Sequence, residues 1–334
     1  MKIIIEKLLG NQSLAQEESR DVMFKIMSGE YDDAQIAGFL IALRAKGERS
    51  AEIAGFAQAM RDKMTKIESV DDAIDMCGTG GDASGTFNIS TAASFVVAGA
   101  GVPVAKHGNR SMTSKSGSAD VLTALGVDIT LPPEKVSECI KTIGIGFMFA
   151  PSLHPAMKYA RGARKALGTR TVFNILGPLC NPAGVDRQLM GIFEGSLTDK
   201  VAKVLKKLGS KRAMVVHGYD GLDEISTTAS TKISHLQEDN TIESTAVSPA
   251  DFGMVKASLE DLKGGEPDEN AVIIKNILNN TDQGKKADIV ILNAGAGIFV
   301  GGKSKTLKEG VEVARASIKS GAALEKLNQL AAVK

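Results

Sequence analysis

The sequence predicts an α/β fold, with a small N-terminal helical domain over residues 1–68 and a larger α/β domain over 71–334, its mostly parallel central sheet flanked by helices. Three observations predict it. The 334 residues exceed the roughly 100 to 200 of a usual single core. The first 68 residues or so carry only helical signals. From Ala73 onward, short apolar runs alternate with glycine-rich turns and helical stretches, the pattern of βαβ units with helices on both faces.

In chain order, Ser13 followed three residues later by Gln16 reads as a capping box, and the helix behind it repeats Val22, Met23, Ile26 and Met27 before Gly29 ends it. Asp32 and Gln35 repeat the device. The next helix sets Ile36, Phe39, Leu40 and Leu43 at helical spacing and stops near Gly47; a third, after Ser50, puts Ile53, Phe56, Met60 and Met64 on one side. The expected strands are AIDMC from Ala73, VPVAK from Val102, VDITL from Val127, GFMFA from Gly146, QLMGIF from Gln188, AMVVHG from Ala213 and, with less support, ADIVIL from Ala287. Between Ile225 and Val247, alternating residues around Glu238, Asp239 and Asn240 predict an antiparallel hairpin. From about Asp268 the chain returns to helices.

Charge excludes some partners. Forty Lys plus Arg against 39 Asp plus Glu leave +1, which gives no global attraction to nucleic acid or an anionic membrane. Cys77, Cys139 and Cys180 form neither an even nor a metal-spaced set and read as small buried hydrophobes in a reducing compartment. The opening MKIIIEKLLGNQ has only a short apolar run broken by charges, and no later stretch reaches the roughly 20 apolar residues of a membrane span, so a cytoplasmic protein is expected.

The chemistry concentrates after the first strand, in GTGGDASGTFNIST from Gly78 to Thr91. Consecutive glycines can aim several N–H groups into one concavity, and Ser90 or Thr91 at a helix start adds hydroxyls and the positive end of the dipole. This is phosphate-binding physics. Gly78 to Ala83 also satisfies the dinucleotide fingerprint, but the next strand ends in Lys106 and His107 where a ribose-binding acid is needed. A Walker loop fails because no Gly-Lys-Ser/Thr follows. The second strand end, Lys106-His107-Gly108-Asn109-Arg110, continues into SMTSKSGSADVLTALG and so supplies cations and further hydroxyls beside the first loop.

With these residues in hand, the sequence resembles the anthranilate phosphoribosyltransferase family, which belongs to the nucleoside phosphorylase-like glycosyltransferases. The resemblance is carried by GTGGD (Gly78 to Asp82), TFNIST (Thr86 to Thr91), KHGNR (Lys106 to Arg110), SGSADVLTALG (Ser116 to Gly126), the stretch from His154 to Leu179, and the pair Asp223-Glu224. It runs in order over nearly the whole chain. Ala83 departs from the glycine frequent in the family.

The resemblance implies transfer of the phosphoribosyl group of 5-phosphoribosyl-1-pyrophosphate (PRPP) to anthranilate with release of pyrophosphate, in tryptophan biosynthesis. It implies PRPP contacts at Gly78, Gly81, Asp82, Thr86, Asn88, Ile89, Ser90, Thr91, Lys106, His107, Gly108, Asn109, Arg110 and Ser118. Anthranilate would meet Gly78, Asn109, His154, Arg164 and Pro178, with the Arg164 guanidinium matching its carboxylate. Ser90, Asp223 and Glu224 would serve Mg²⁺, two ions per monomer, as hard oxygen donors. The helical domain would be joined by helices from about 154–180 and would form a homodimer interface. No residue is an obligatory general base; His107 reads either as a proton acceptor or as a structural histidine. His217 and His235 read as structural. NAGAG, Asn293 to Gly297, resembles another anion loop, though its apolar flanks favour a buried helix start. A nucleoside phosphorylase would have no use for Arg164, and a catalytically silent relative no reason to keep Lys106, Asn109, Arg164, Asp223 and Glu224 together.

Overall fold

The computed structural model describes residues 1–80, 84–111 and 115–334. The chain opens with four helices, α1 (Lys2–Leu9), α2 (Gln16–Met27), α3 (Asp33–Lys46) and α4 (Ser50–Lys63). Their expected stripes are the buried faces: Val22, Met23, Ile26, Met27, Ile36, Phe39, Leu40, Leu43, Ile53, Phe56 and Met60 enclose one core. Asp32 caps α3 as expected, its Oδ1 accepting from Gln35 N while Gln35 Oε1 accepts from Asp32 N. The other capping box is a correction. Helix α2 begins at Gln16, where Ala15 N donates to Glu18 Oε2, and the Ser13 hydroxyl instead accepts from Lys46.

Among the described residues, seven strands follow in one sheet of order β3-β2-β1-β4-β5-β6-β7. They are β1 (Ile74–Gly78), β2 (Val104–Gly108), β3 (Ile145–Phe149), β4 (Arg187–Gly191), β5 (Arg212–Gly218), β6 (Thr231–Leu236) and β7 (Ile242–Val247). The first five are parallel, and β6 and β7 form the expected antiparallel hairpin, with Asn240 at φ 65° in its turn. On one face lie α5 (Ile89–Gly99), α6 (Ser118–Ala124) and the C-terminal helices α12 (Pro267–Leu278), α13 (Lys285–Val300), α14 (Leu307–Lys319) and α15 (Ala322–Ala331), while α7 (Pro133–Thr142) packs Val136 and Ile140 against Ala105 and Met148 on the other. The other face carries the short α8 (Ala150–Leu153), α9 (Lys158–Leu167), the short α10 (Phe173–Leu176) and α11 (Thr198–Lys207). Residues of α9, of Val172–Leu176, of α11 and of β4 and β5 share one core with the leading helices. Among the described residues no helix is long and apolar enough to cross a membrane.

Two expected strands are not strands. VDITL is a loop: Asp128 Oδ1 accepts from the N–H and the hydroxyl of Thr130, an Asx turn that bends the backbone, while Val127 and Ile129 still reach the core. ADIVIL lies inside α13, which is buried on almost every side, so its apolar run carries no period that separates strand from helix. NAGAG is likewise the middle of α13, not a loop or a helix start.

Candidate active site

The chain runs from β1 outward to β2 and β3, then returns to the other side of β1 as β4, so adjoining connections diverge at the carboxyl ends of β1 and β4. Such a switch point opens a crevice above the sheet. Gly78 and Gly191 face each other there in register. Over them lies Asp223, from the turn after β5. A Cβ on Gly191 would sit 1.6 Å from the Asp223 carbonyl oxygen, and one on Gly78 would sit 2.5 Å from its Oδ2. Only glycines admit the carboxylate this close to the sheet. Asp223 Oδ2 accepts from Gly80 N at 2.8 Å, Thr79 N donates to Gly191 O, and Thr79 Oγ1 accepts from Phe193 N. The loop carrying Asp223 and Glu224 is pinned by the fully buried Leu222 and Ile225.

The glycine-rich loop after β1 and the end of β2 meet beside it. Lys106 is buried, its Nζ 2.6 Å from Met76 O and 3.4 Å from Ser90 Oγ at the start of α5. Burial pulls the Lys106 pKa down, while the negative fields of Asp75, Cys77 and Glu224 pull it back up. Asn88 bridges the two loops: its Nδ2 donates to Ser116 O, and its Oδ1 accepts from Ser116 Oγ and from Asn270 Nδ2. Thr86 pairs with Lys263 in an isolated bridge. Gly108 is tightly packed against the Ser118 hydroxyl and Phe147. Ser118 Oγ donates to Asn109 O, and the exposed Asn109 side chain accepts from Arg110 N. Ile89 and Thr91 bury their side chains, and the Ile89 N–H is taken by Phe87 O. Arg110 is drawn aside into an ion pair with Asp120. Gly81 and Asp82 lie outside the described residues.

On the opposite side of β2, His107 Nε2 and His154 Nε2 are 3.2 Å apart. Burial, then the fields of His154 and Lys106, push His107 down to about 3, and burial pushes His154 down to about 4. Both are neutral at pH 7, and so low a value makes His107 a poor proton acceptor. These rings help hold the segment Gly177–Cys180 through its carbonyls. His107 bonds to Gly177 backbone, Gln188 Nε2 donates to Pro178 O, Arg61 Nε donates to Leu179 O, and His154 bonds to Cys180 backbone. Pro178 is thereby fixed at the sheet. Arg164 sits on α9, with the leading helices: α9 approaches them where Gly29 faces Tyr159 and where Asp33 Oδ1 accepts from Ala163 N beside Gly162. Its guanidinium lies 5.1 Å from the Phe173 ring centroid, half-buried, and burial lowers its pKa. His217 Nδ1 bonds to Ile192 O and the His235 ring packs at a tilt against Phe299, as structural histidines do.

Sequence reasoning missed Asp75, Gln188, Asn181, Arg61, Asn270 and Asn293. Asp75, fully buried, accepts from His107 N, and burial raises its pKa. A charged residue inside the apolar run AIDMC was its signal. The others left none, because each bonds at least one group that only folding brings near, such as Ala105 O for Asn181 Nδ2, Leu179 O for Arg61 and Asn88 Oδ1 for Asn270.

The donor set suits Mg²⁺. Asp223, Glu224 and the Ser90 hydroxyl are hard oxygen groups, and among the described residues no three His, Cys, Asp or Glu side chains gather into a cage. Two carboxylates plus substrate phosphates is how Mg²⁺ is commonly held.

Fold and site define a glycosyltransferase. Residues 2–64 match the helical bundle domain of the glycosyl transferase family and residues 70–324 its a/b domain. The chain is 51% identical over 331 residues to an anthranilate phosphoribosyltransferase of Alkaliphilus metalliredigens, covering 99% of this chain and 97% of that protein. It superposes on the Thermus thermophilus anthranilate phosphoribosyltransferase with a TM-score of 0.94 at 43% identity, covering 98% of each chain. The Saccharomyces cerevisiae enzyme in complex with PRPP and Mg gives 0.89 at 29%, covering 98% of this chain and 95% of that one. The chain belongs to the anthranilate phosphoribosyltransferase family.

Proposed function

We infer that this chain transfers the phosphoribosyl group of PRPP to the amino group of anthranilate, giving N-(5-phosphoribosyl)anthranilate and pyrophosphate, in tryptophan biosynthesis. The observation that carries the reading is the meeting of Asp223 with the glycines of β1 and β4, beside a buried Lys106 and the start of α5. In the reaction the anomeric C–O bond breaks and its electron pair leaves with pyrophosphate, a C–N bond forms from the amine lone pair, and the N-protonated product gives up its proton to solvent. Mg²⁺ supplies charge neutralisation for the departing pyrophosphate. Lys106, Ser90 and the loop N–H groups bind phosphate oxygens, and Asp223 and Glu224 hold the metal, two ions per monomer. Asn109 and Arg164 orient the carboxylate of anthranilate against walls formed by His107, His154 and Pro178. The neutral aniline nitrogen needs no prior deprotonation, so positioning replaces a general base.

The experiment is loss of anthranilate fluorescence on addition of PRPP with and without Mg²⁺. A magnesium-dependent decrease is expected, and no decrease sinks the reading.

The remaining assignments rest on further observations. The leading helices share their core with residues around 154–180, which supports a helical domain of 1–68 plus that segment against 71–334. Exposed Ile3, Leu9 and Ile41 on α1 and α3 support a homodimer through this domain. Sedimentation as a monomer at micromolar concentration removes it. Three free cysteines support a cytoplasmic location.

A further inference from the structure

The NAGAG stretch has no part in the chemistry above, yet its three non-alanine residues each meet a different element. Gly295 lets α14 approach: a Cβ there would sit 2.7 Å from Val311 N. Gly297 faces Met76 of β1 and Val97 of α5, with its Cβ 2.9 Å from Met76 Sδ. Asn293 is different because it makes directed bonds. Fully buried, it accepts from Ile225 N through Oδ1 at 2.9 Å and donates from Nδ2 to Ile225 O and Ile289 O, each also at 2.9 Å.

Ile225 directly follows Glu224. An asparagine side chain that takes both the N–H and the C=O of one residue reproduces the pairing of a neighbouring strand, so it fixes that peptide in position and orientation. On the other side, Asp223 Oδ2 accepts from Gly80 N. The Asp223-Glu224 dipeptide is thus tethered at both ends, to the glycine loop through Asp223 and to the core of α13 through Ile225. We propose that Asn293 is a positioning residue for the two carboxylates, setting their geometry for divalent cation and polyphosphate without touching either. Without it, the buried N–H and C=O of Ile225 lose their partners, and the loop must shift to find others. The inference rests on the functional reading, and its test separates the two.

Asn293→Ala and the near-isosteric Asn293→Asp are compared with Gly295→Ala, which strains the same helix against α14. Backbone hydrogen exchange of Ile225 and Mn²⁺ binding by electron paramagnetic resonance in the presence of PRPP are measured together with steady-state kinetics. Asn293→Ala is expected to lose protection at Ile225, Asn293→Asp to keep part of it because its carboxylate still accepts from Ile225 N, and both to weaken Mn²⁺ binding about tenfold or more because neither donates to Ile225 O. The anthranilate KM at saturating Mg²⁺ is expected to stay within about twofold, the discrimination a general unfolding effect would not produce. Gly295→Ala is expected to lower Tm and leave Mn²⁺ binding unchanged. Retained Ile225 protection in Asn293→Ala, or wild-type Mn²⁺ affinity in both variants, overturns the proposal and leaves the functional reading standing. A wild-type protein that binds no Mn²⁺ with PRPP overturns both.

Discussion

Replacing Gly191 with alanine tests how closely the sheet and the carboxylate loop must approach. The added Cβ would lie 1.6 Å from Asp223 O, 2.5 Å from its carbonyl carbon and 3.2 Å from its Cα, whereas ordinary van der Waals contact begins at 3.4 Å. About 1.8 Å of separation must therefore open, the difference between 3.4 and 1.6 Å. Strand β4 cannot retreat, because Gly191 is in register with Gly78 on one side and Val216 on the other. The obstacle is backbone, so no rotamer relieves it. The loop must move, at about 1 to 3 kcal/mol of overpacking strain. A displacement of about 1 Å at a reacting centre costs about a hundredfold in rate. Gly191→Ala is thus expected to lower kcat/KM for PRPP at least a hundredfold and to raise the Mg²⁺ concentration needed, while circular dichroism reports a folded protein. A kcat/KM within threefold of wild type at ordinary Mg²⁺ refutes the reasoning.

Arg164→Ala is expected to raise the anthranilate KM about 10- to 150-fold, the worth of charge-assisted hydrogen bonds near 1.5 to 3 kcal/mol, with little change in the PRPP KM; equal effects on both substrates move Arg164 out of the acceptor pocket. Glu52→Ala should destabilise the fold by about 3 to 5 kcal/mol in denaturant titration, because it strands the buried Lys46 ammonium 2.8 Å away and removes the acceptor for Leu14 N and Arg49 N. Gly38→Ala, in the interior of α3 with only Ile5 Cδ1 at 3.4 Å, should stabilise by about 0.5 to 1 kcal/mol and leave turnover unchanged. Burial holds His107 near 3 and His154 near 4, below the 6.5 of the unfolded chain, so the unfolded state takes up protons first. Stability is full above about pH 6.5 and falls as pH drops toward 4, and His154→Gln should flatten that slope in urea titrations at pH 4.5 to 7.

Much of this protein was legible in one dimension. The helical stripes of the first 63 residues, the Asp32 cap and the β6-β7 hairpin are local: each depends on residues a few positions apart. The same holds for GTGG and KHGNR at strand ends, since loop chemistry is written in consecutive residues. Where burial is complete, locality fails. ADIVIL and NAGAG read as a strand and a loop because a helix apolar on all sides has lost the period that marks it, and VDITL needed only one Asx turn to cease being a strand.

The sequence by itself determined the fold class, the two glycine-bearing strand-end loops and the Asp-Glu pair. Tertiary structure decided what could be known only by closing the chain: that Gly78 and Gly191, 113 positions apart, leave room for Asp223; that Arg110 turns to Asp120 and Thr91 turns inward; and that Asn293 holds Ile225 from 68 residues away. The physical reason is that these relations consist of steric room and backbone hydrogen bonds between distant segments. Neither leaves a mark on the identity of neighbouring residues.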